Sequence, residues 1–363
     1  MAKRVGVDKW MYGTVVVLVL LGLVMVFSSS AVVASERFHS ATTFLVKQAI
    51  WATLGLIVMS VLMHVDYRRL NKPQVVFTLL GVILLLLVGV FAMHDSHATH
   101  RWMRLGAFSL QPSELAKPVL VLFLAWFLQD HMHMMDDWRK AVLPAALPTI
   151  LLVLLILKEP DLGTGLVCLV VSAILLYLAR MPWKYYAIAA VASVPLFYYM
   201  LVRVAWRWKR LLAFWNPNLD PKGIGFHIHQ SLIAVGTGGW FGRGLMEGRQ
   251  KLFYLPESHT DFIFANIAEE LGLLGTLIVV GLFIYLGYRG LRAATLARDP
   301  FAQFLAVGIT ATILIQAFFN ISVVLSLVPT KGIPLPFISS GGTSLFITLA
   351  SMGVLLNITR ETE

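Results

Sequence analysis

The chain alternates long apolar runs with short polar connections, and that alternation restricts its fold more than any other feature. Runs long enough to cross a bilayer lie near 13–34, 43–64, 74–93, 113–129, 141–158, 161–179, 184–202, 262–288, 301–326 and 341–358. A hydrocarbon core about 30 Å thick needs roughly 20 apolar residues per helix, and backbone in lipid must satisfy its own hydrogen bonds. The expected fold is therefore an all-α polytopic membrane protein with about ten transmembrane helices. Only 13% of its residues are charged, against roughly 25% in a soluble domain. Residues 1–363 read as a single membrane domain, without internal repeats or low-complexity tracts.

An even number of spans puts both termini on one side. Lysine and arginine in the connections at 3–9, 68–72, 139–140, 180–184, 289–298 and 360 outnumber those in the alternate connections, which predicts cytoplasmic termini. The large loop between helices 7 and 8 is left out of this comparison, because long loops translocate regardless of charge. On this orientation the segments 94–112, 159–161, 203–261 and 327–340 share the extracytoplasmic face. The basic residues Lys3, Arg4 and Lys9 precede the first run without a small-residue cleavage site, as expected of a retained span. The net charge of +10 is scattered among loops. That pattern suits anionic lipid headgroups or a phosphate-bearing lipid substrate and gives no reason to expect nucleic acid. The single cysteine, Cys168, excludes a disulfide within the chain.

Most of the unusual chemistry falls on the extracytoplasmic segments. In 251–272, KLFYLPESHTDFIFANIAEELG, Asp261 stands where the chain enters an apolar run. A carboxylate at the edge of hydrocarbon is costly and so marks a functional candidate; capping the following helix is a compatible role. Glu269 and Glu270, two turns deeper, suit packing or pairing. Arg101 and Arg104 mix with Trp102 and Phe108, which fits either a site or an aromatic belt at the headgroup level. Glu114 and Lys117 are three apart and can pair on one helix face. Glu159 and Asp161 flank Pro160 in a tight turn, where Asp161 can cap the next helix. Arg207, Lys209 and Arg210 interleave with Trp206, Trp208 and Trp215, as in a helix lying in the interface. Gly236, Gly238 and Gly239 lack any phosphate-loop spacing and suit a turn packed against protein. His227-x-His229 and His131-x-His133 lack the further ligands of a metal site. The prolines and glycines of 327–344 rule out a regular span there, and Lys331 at its tip is a natural counter-charge for phosphate.

The stretches RWMRLGAFSLQPSELAK, KEPDLGTG, QSLIAVGTGG, YLPESHTDFIFANIAEELG and PTKGIPLPFISSGGTS together resemble the SEDS family (shape, elongation, division and sporulation) of peptidoglycan glycosyltransferases. PTKG and RLGAFSLQPSELAK are closer to its division-type than to its elongation-type members. Ser340 departs from the family pattern, which has a tyrosine there. The resemblance implies polymerisation of lipid II, a disaccharide-pentapeptide on undecaprenyl pyrophosphate, at the outer face of the bacterial cytoplasmic membrane. It also implies a single-span class B penicillin-binding protein as partner, with other divisome membrane proteins, and an essential acid at Asp261.

For that reaction Asp261 would be the general base in an inverting displacement. Arg101, Lys117 and Lys331 would stabilise the departing pyrophosphate. Glu114 would hold Lys117, Glu257 and His259 would orient the acceptor or Asp261, and Ser339 would complete the substrate-binding set. The sequence points to no certain cofactor; a divalent cation (magnesium or manganese) could assist the leaving group. Two rival readings remain: a lipid II flippase and a non-catalytic scaffold. A flippase needs polar groups along a whole transbilayer path, whereas these crowd one face.

Overall fold

The computed structural model describes residues 6–92, 101–105, 108–216, 223–252 and 255–360. Lys3 and Arg4, residues 94–100 of the first outer segment and residues 217–222 of the long one lie outside the described residues. So do the side chains of Arg104, Phe108 and Trp206.

Every apolar run is helical. The helices are α1 (Lys9–Phe38), α2 (Thr43–Leu62), α3 (Pro73–Ala92), α4 (Pro112–His131), α5 (Leu143–Lys158), α6 (Leu162–Leu178) and α7 (Trp183–Val202), then α10 (Ile263–Leu296), α11 (Pro300–Val324) and α12 (Gly342–Thr359). Eight of them, α1 to α5 and α10 to α12, have the length and composition to cross a membrane, while α6 is a shorter apolar helix. The long segment before α10 forms two more, α8 (Ala205–Trp215) and α9 (Ile224–Gly238). One small addition to the all-α expectation is an antiparallel ribbon, β1 (Met103–Leu105) with β2 (Phe108–Leu110).

Helix starts follow local chemistry. Asp8 caps α1 through Trp10 N and Met11 N, both at 3.0 Å, and Asp161 caps α6 through Thr164 N at 3.1 Å. Pro112 opens α4, where its missing N–H costs nothing. Lipid tails are as apolar as leucine, so helix association in a bilayer depends on close packing rather than water exclusion. Small residues supply it. A Cβ on Gly22 would lie 2.6 Å from Phe337 O, and one on Gly308 would lie 2.3 Å from Val121. Within the bundle α2 packs along α12, α10 along α11, and α11 against α4 and α6.

Cross-links sort the connections into two ends. At one end Arg289 pairs with Asp8, whose N–H reaches Thr359 Oγ1; Tyr67 bonds Asp299 and Tyr185 bonds Asp136 O. At the other, Arg101 reaches Glu159 O, Thr343 reaches Ser109 O, Arg210 reaches Thr330 O and Asn320 reaches Asp261 O. The segments expected to share a face therefore converge, and both described termini lie at the opposite end.

The eighth run is not one straight helix. Gly272 breaks α10 with φ 65° and ψ −164°. The turn after α9 presses into the break, and a Cβ on Gly272 would meet Gly242 N at 2.3 Å. Carbonyls freed there are satisfied by Arg243 N on Glu269 O at 3.0 Å and Gly244 N on Glu270 O at 3.1 Å. The two glutamates anchor the same turn. Glu270, fully buried, pairs with Lys251 at 2.6 Å and accepts from Ser28 Oγ, while Glu269 accepts from Arg249 N and Gln250 N. Packing and pairing, as expected of both, fix the approach to Asp261.

Candidate active site

Two cavities meet at Asp261. The larger, about 350 Å³, is lined by Arg101, Asp161, Arg207, Arg210, Asp261 and Lys331, with Leu162 and Gly332 among its other walls. The smaller, about 140 Å³, is lined by Arg210, His227, Glu257, Asp261, Phe262, Thr330, Lys331 and Gly332. An apolar groove of about 320 Å³ runs between α5, α6 and α7, past Leu154, Leu166 and Ala189, and ends at Lys331. It shares Leu162 and Lys331 with the larger cavity.

Asp261 is held by its backbone, leaving its carboxylate open. Its carbonyl accepts from Asn320 Nδ2 at 2.8 Å, and the preceding Thr260 carbonyl accepts from Ser339 Oγ at 2.7 Å. Asp261 does not cap α10, correcting that expectation: the cap position is Phe262, and no side chain bonds the free N–H groups there. Among the described residues the carboxylate forms no hydrogen bond or ion pair. Burial lifts it from the usual 3.8 to about 7; Glu257 adds to the rise, while Arg210 and Arg101 pull it down. That value suits a base working near neutral pH.

The expected site residues divide. Arg101, Glu257 and Lys331 line the cavities with Asp261. Arg101 also braces the 159–161 turn, donating to Glu159 O at 2.8 Å and to Pro160 O. Burial holds Lys331 below the usual lysine range, with Asp161 opposing. Glu114 and Lys117 do pair, at 2.9 Å, but Lys117 Nζ also donates to Gln316 at 2.7 Å. Lys117 lines a separate crevice of about 20 Å³, so the structure does not bring it to the cavities. His259 turns its ring to Phe44 on α2, 4.8 Å between centroids, and lines neither cavity. Ser339 is buried and spends its hydroxyl on Thr260 O and Leu335 N, both at 2.7 Å; it positions the loop rather than facing the cavities. Ser340 N donates to His259 O at 3.0 Å.

Other wall residues were read from sequence in other roles. Arg207 and Arg210 come from α8, and their spacing of three does put both on one helix face. Asp161 lines the larger cavity as well as capping α6. His227 appeared only in a His-x-His pair, and Asn320, which holds the Asp261 carbonyl without lining either cavity, carries no local signal. At Gly332 a Cβ would lie 2.8 Å from Asp261 Oδ2, so only glycine leaves the carboxylate its room.

A resident divalent cation would need several oxygen ligands. Among the described residues no three His, Cys, Asp or Glu side chains converge. The larger cavity sets Asp161 and Asp261 among Arg101, Arg207, Arg210 and Lys331, a donor set that suits an anion and does not fit a bound metal.

A helical bundle with an open carboxylate, a cationic cavity and an adjoining apolar groove at one end defines a polytopic membrane protein. The chain belongs to the FtsW/RodA/SpoVE family of cell cycle proteins, matching it over residues 9–363. It is 42% identical to a probable peptidoglycan glycosyltransferase FtsW of Geobacter metallireducens, over 94% of this chain and 92% of the relative. It is 39% identical to stage V sporulation protein E of Bacillus subtilis, over 99% and 98%. Among solved structures it resembles the rod shape determining protein RodA of Thermus thermophilus, with a TM-score of 0.72 and 27% identity over 98% of this chain and 97% of that one. It also resembles a chain of a peptidoglycan synthase complex that coordinates polymerization and crosslinking, with a TM-score of 0.80 and 28% identity over 98% of each.

Proposed function

We propose that the chain is a peptidoglycan glycosyltransferase that polymerises lipid II at the outer face of the bacterial cytoplasmic membrane during division, with Asp261 as general base. The carrying observation is the position of Asp261: unpaired, raised to about 7, and at the junction of a cationic cavity that opens onto an apolar groove. A lipid-linked pyrophosphate needs the cations and the groove, and the attacking hydroxyl needs the base. Arg101, Arg207, Arg210 and Lys331 would hold its charge, and the groove would take part of its polyprenyl tail.

The acceptor hydroxyl gives its proton to Asp261 as its oxygen attacks the donor's anomeric carbon. The bond from that carbon to the pyrophosphate oxygen breaks with both electrons on the leaving group. Cations fixed where charge develops lower the barrier without reorganising. An α-linked donor giving a β-linked product requires one inversion, hence no covalent intermediate.

The relatives' names support this reading, and the solved complex that coordinates polymerization and crosslinking supports a crosslinking partner, for which a class B penicillin-binding protein is the candidate. The cytoplasmic termini expected from the loop charges agree with it, since they put the Asp261 end outside. Purified protein, with and without that partner, should make glycan from lipid II, and Asp261→Asn should fold, bind the partner and make none. Near-normal synthesis by Asp261→Asn would defeat the assignment.

A further inference from the structure

The two cavities share Arg210, Asp261, Thr330, Lys331 and Gly332 and differ in what else lines them. Only the larger holds Arg101 and Arg207 and shares Leu162 with the apolar groove, while Lys331 borders all three. Only the smaller holds His227, Glu257 and Phe262. The ring of His227 stacks near that of Phe262, 6.1 Å between centroids at 22°. Thr260 Oγ1 donates to one Glu257 carboxylate oxygen at 2.8 Å, which steadies that side chain. Burial and Arg210 hold His227 below the usual histidine range, with Glu257 opposing.

These walls select different chemistry. A carboxylate beside an imidazole repels phosphate but accepts and donates hydrogen bonds to sugar hydroxyls. A buried aromatic edge offers apolar surface to the C–H face of a sugar ring. Guanidinium groups beside a lipid groove select a lipid-linked pyrophosphate.

Building on the glycosyltransferase reading, we infer that the smaller cavity is the acceptor subsite, where His227 and Glu257 bind hydroxyls of the acceptor sugar, and that the larger cavity with Arg207 holds the donor pyrophosphate. Asp261 then stands between the substrates. The acceptor 4-hydroxyl oxygen enters from the His227 side and loses its proton to Asp261. The new bond forms at the donor's anomeric carbon, and the pyrophosphate leaves toward Arg101 and Arg207 with the electron pair of the broken bond. The assignment also places the lipid carrying the leaving group along α5, α6 and α7.

The test separates the subsites with two lipid II analogues and the full chain, supplied with its partner if activity requires it. One analogue has its GlcNAc 4-hydroxyl capped and can only donate. The other carries a phosphonate in place of the anomeric oxygen linkage and can only accept. A single coupling of the two is measured while either is varied. Losing one hydrogen bond to a neutral sugar should raise KM about tenfold. His227→Ala and Glu257→Gln should raise the acceptor KM by about that factor and leave the donor KM within about twofold. Arg207→Ala should do the reverse. If His227→Ala does not fold, His227→Gln keeps a hydrogen-bonding side chain and should still move the acceptor KM alone. A rise in donor KM for His227 or Glu257 variants, an equal rise in both, or no change would overturn the assignment. Failure of wild type to couple unmodified lipid II would instead defeat the glycosyltransferase reading.

Discussion

Holding an unpaired acid ready at Asp261 costs stability, and the cost has a defined pH dependence. The folded protein raises this carboxyl from 3.8 to about 7. Between those values the folded chain keeps a proton that the unfolded chain has lost. Wild-type stability therefore falls as pH rises through this window and levels off above about pH 7. At 1.36 kcal/mol for each unit, the full penalty is about 4 kcal/mol, an upper figure because water reaches the cavity and screens the charge. Asparagine has nearly the same shape and does not ionise. Asp261→Asn should therefore match wild type near about pH 4 and exceed it by up to about 4 kcal/mol near about pH 8, a gain of several degrees in thermal midpoint. The assay is thermal unfolding of both purified proteins across that range, in one detergent. If the two unfold together at every pH, or differ by a constant amount, Asp261 is not held desolvated and its reading as a tuned base fails.

Three further outcomes follow from the same geometry. Turnover at low substrate should rise with pH and reach half its plateau near about pH 7; Glu257→Gln should move that midpoint down and Arg210→Gln should move it up, read from initial rates. Lys251→Met leaves Glu270 charged and buried without its partner, costing about 3–5 kcal/mol in thermal unfolding; adding Glu270→Gln should recover part of the loss. Gly332→Ala puts a methyl 2.8 Å from Asp261 Oδ2 and should slow polymerisation at least about tenfold. Since Gly332 is exposed, its thermal midpoint should stay near wild type.

Much of the fold was legible because hydrophobicity is a local signal. Glu159-Pro160 was enough to separate α5 from α6, since proline cannot continue a helix and Asp161 caps the next one. Asp261 was legible for the opposite reason, as a charge where composition forbids one cheaply. What stayed hidden depends on distant partners. Spacing gives the Glu114–Lys117 pair, but Gln316, 199 positions from Lys117, helps to hold that ammonium away from the cavities. Gly272 reads as an ordinary glycine in a span until Gly242 lies against it. Arg207 and Arg210 sit on a helix whose amphipathic pattern is the same whether the polar face meets lipid headgroups or a protein cavity.

Backbone and side chain are treated in opposite ways around Asp261. Asn320 binds its carbonyl, Ser339 binds that of Thr260, and Ser340 binds that of His259. Those bonds come from α11 and from the loop before α12, so the turn is fixed from two sides. Deeper along α10, Glu269 and Glu270 are fully engaged by the 243–251 turn and Ser28. Glu269 and Glu270 are thus paired, while the Asp261 carboxylate at the junction of the cavities is left without a partner. Glu159, fully buried, also lacks a partner for its carboxylate, but burial lifts it to about 8, which keeps it protonated near neutral pH, and it lines neither cavity. Fixing the chain while leaving the acid open is what a reaction needs when a proton must be taken at a set distance from a departing anion. The local loss of stability at Asp261 and its proposed role as base therefore have the same cause.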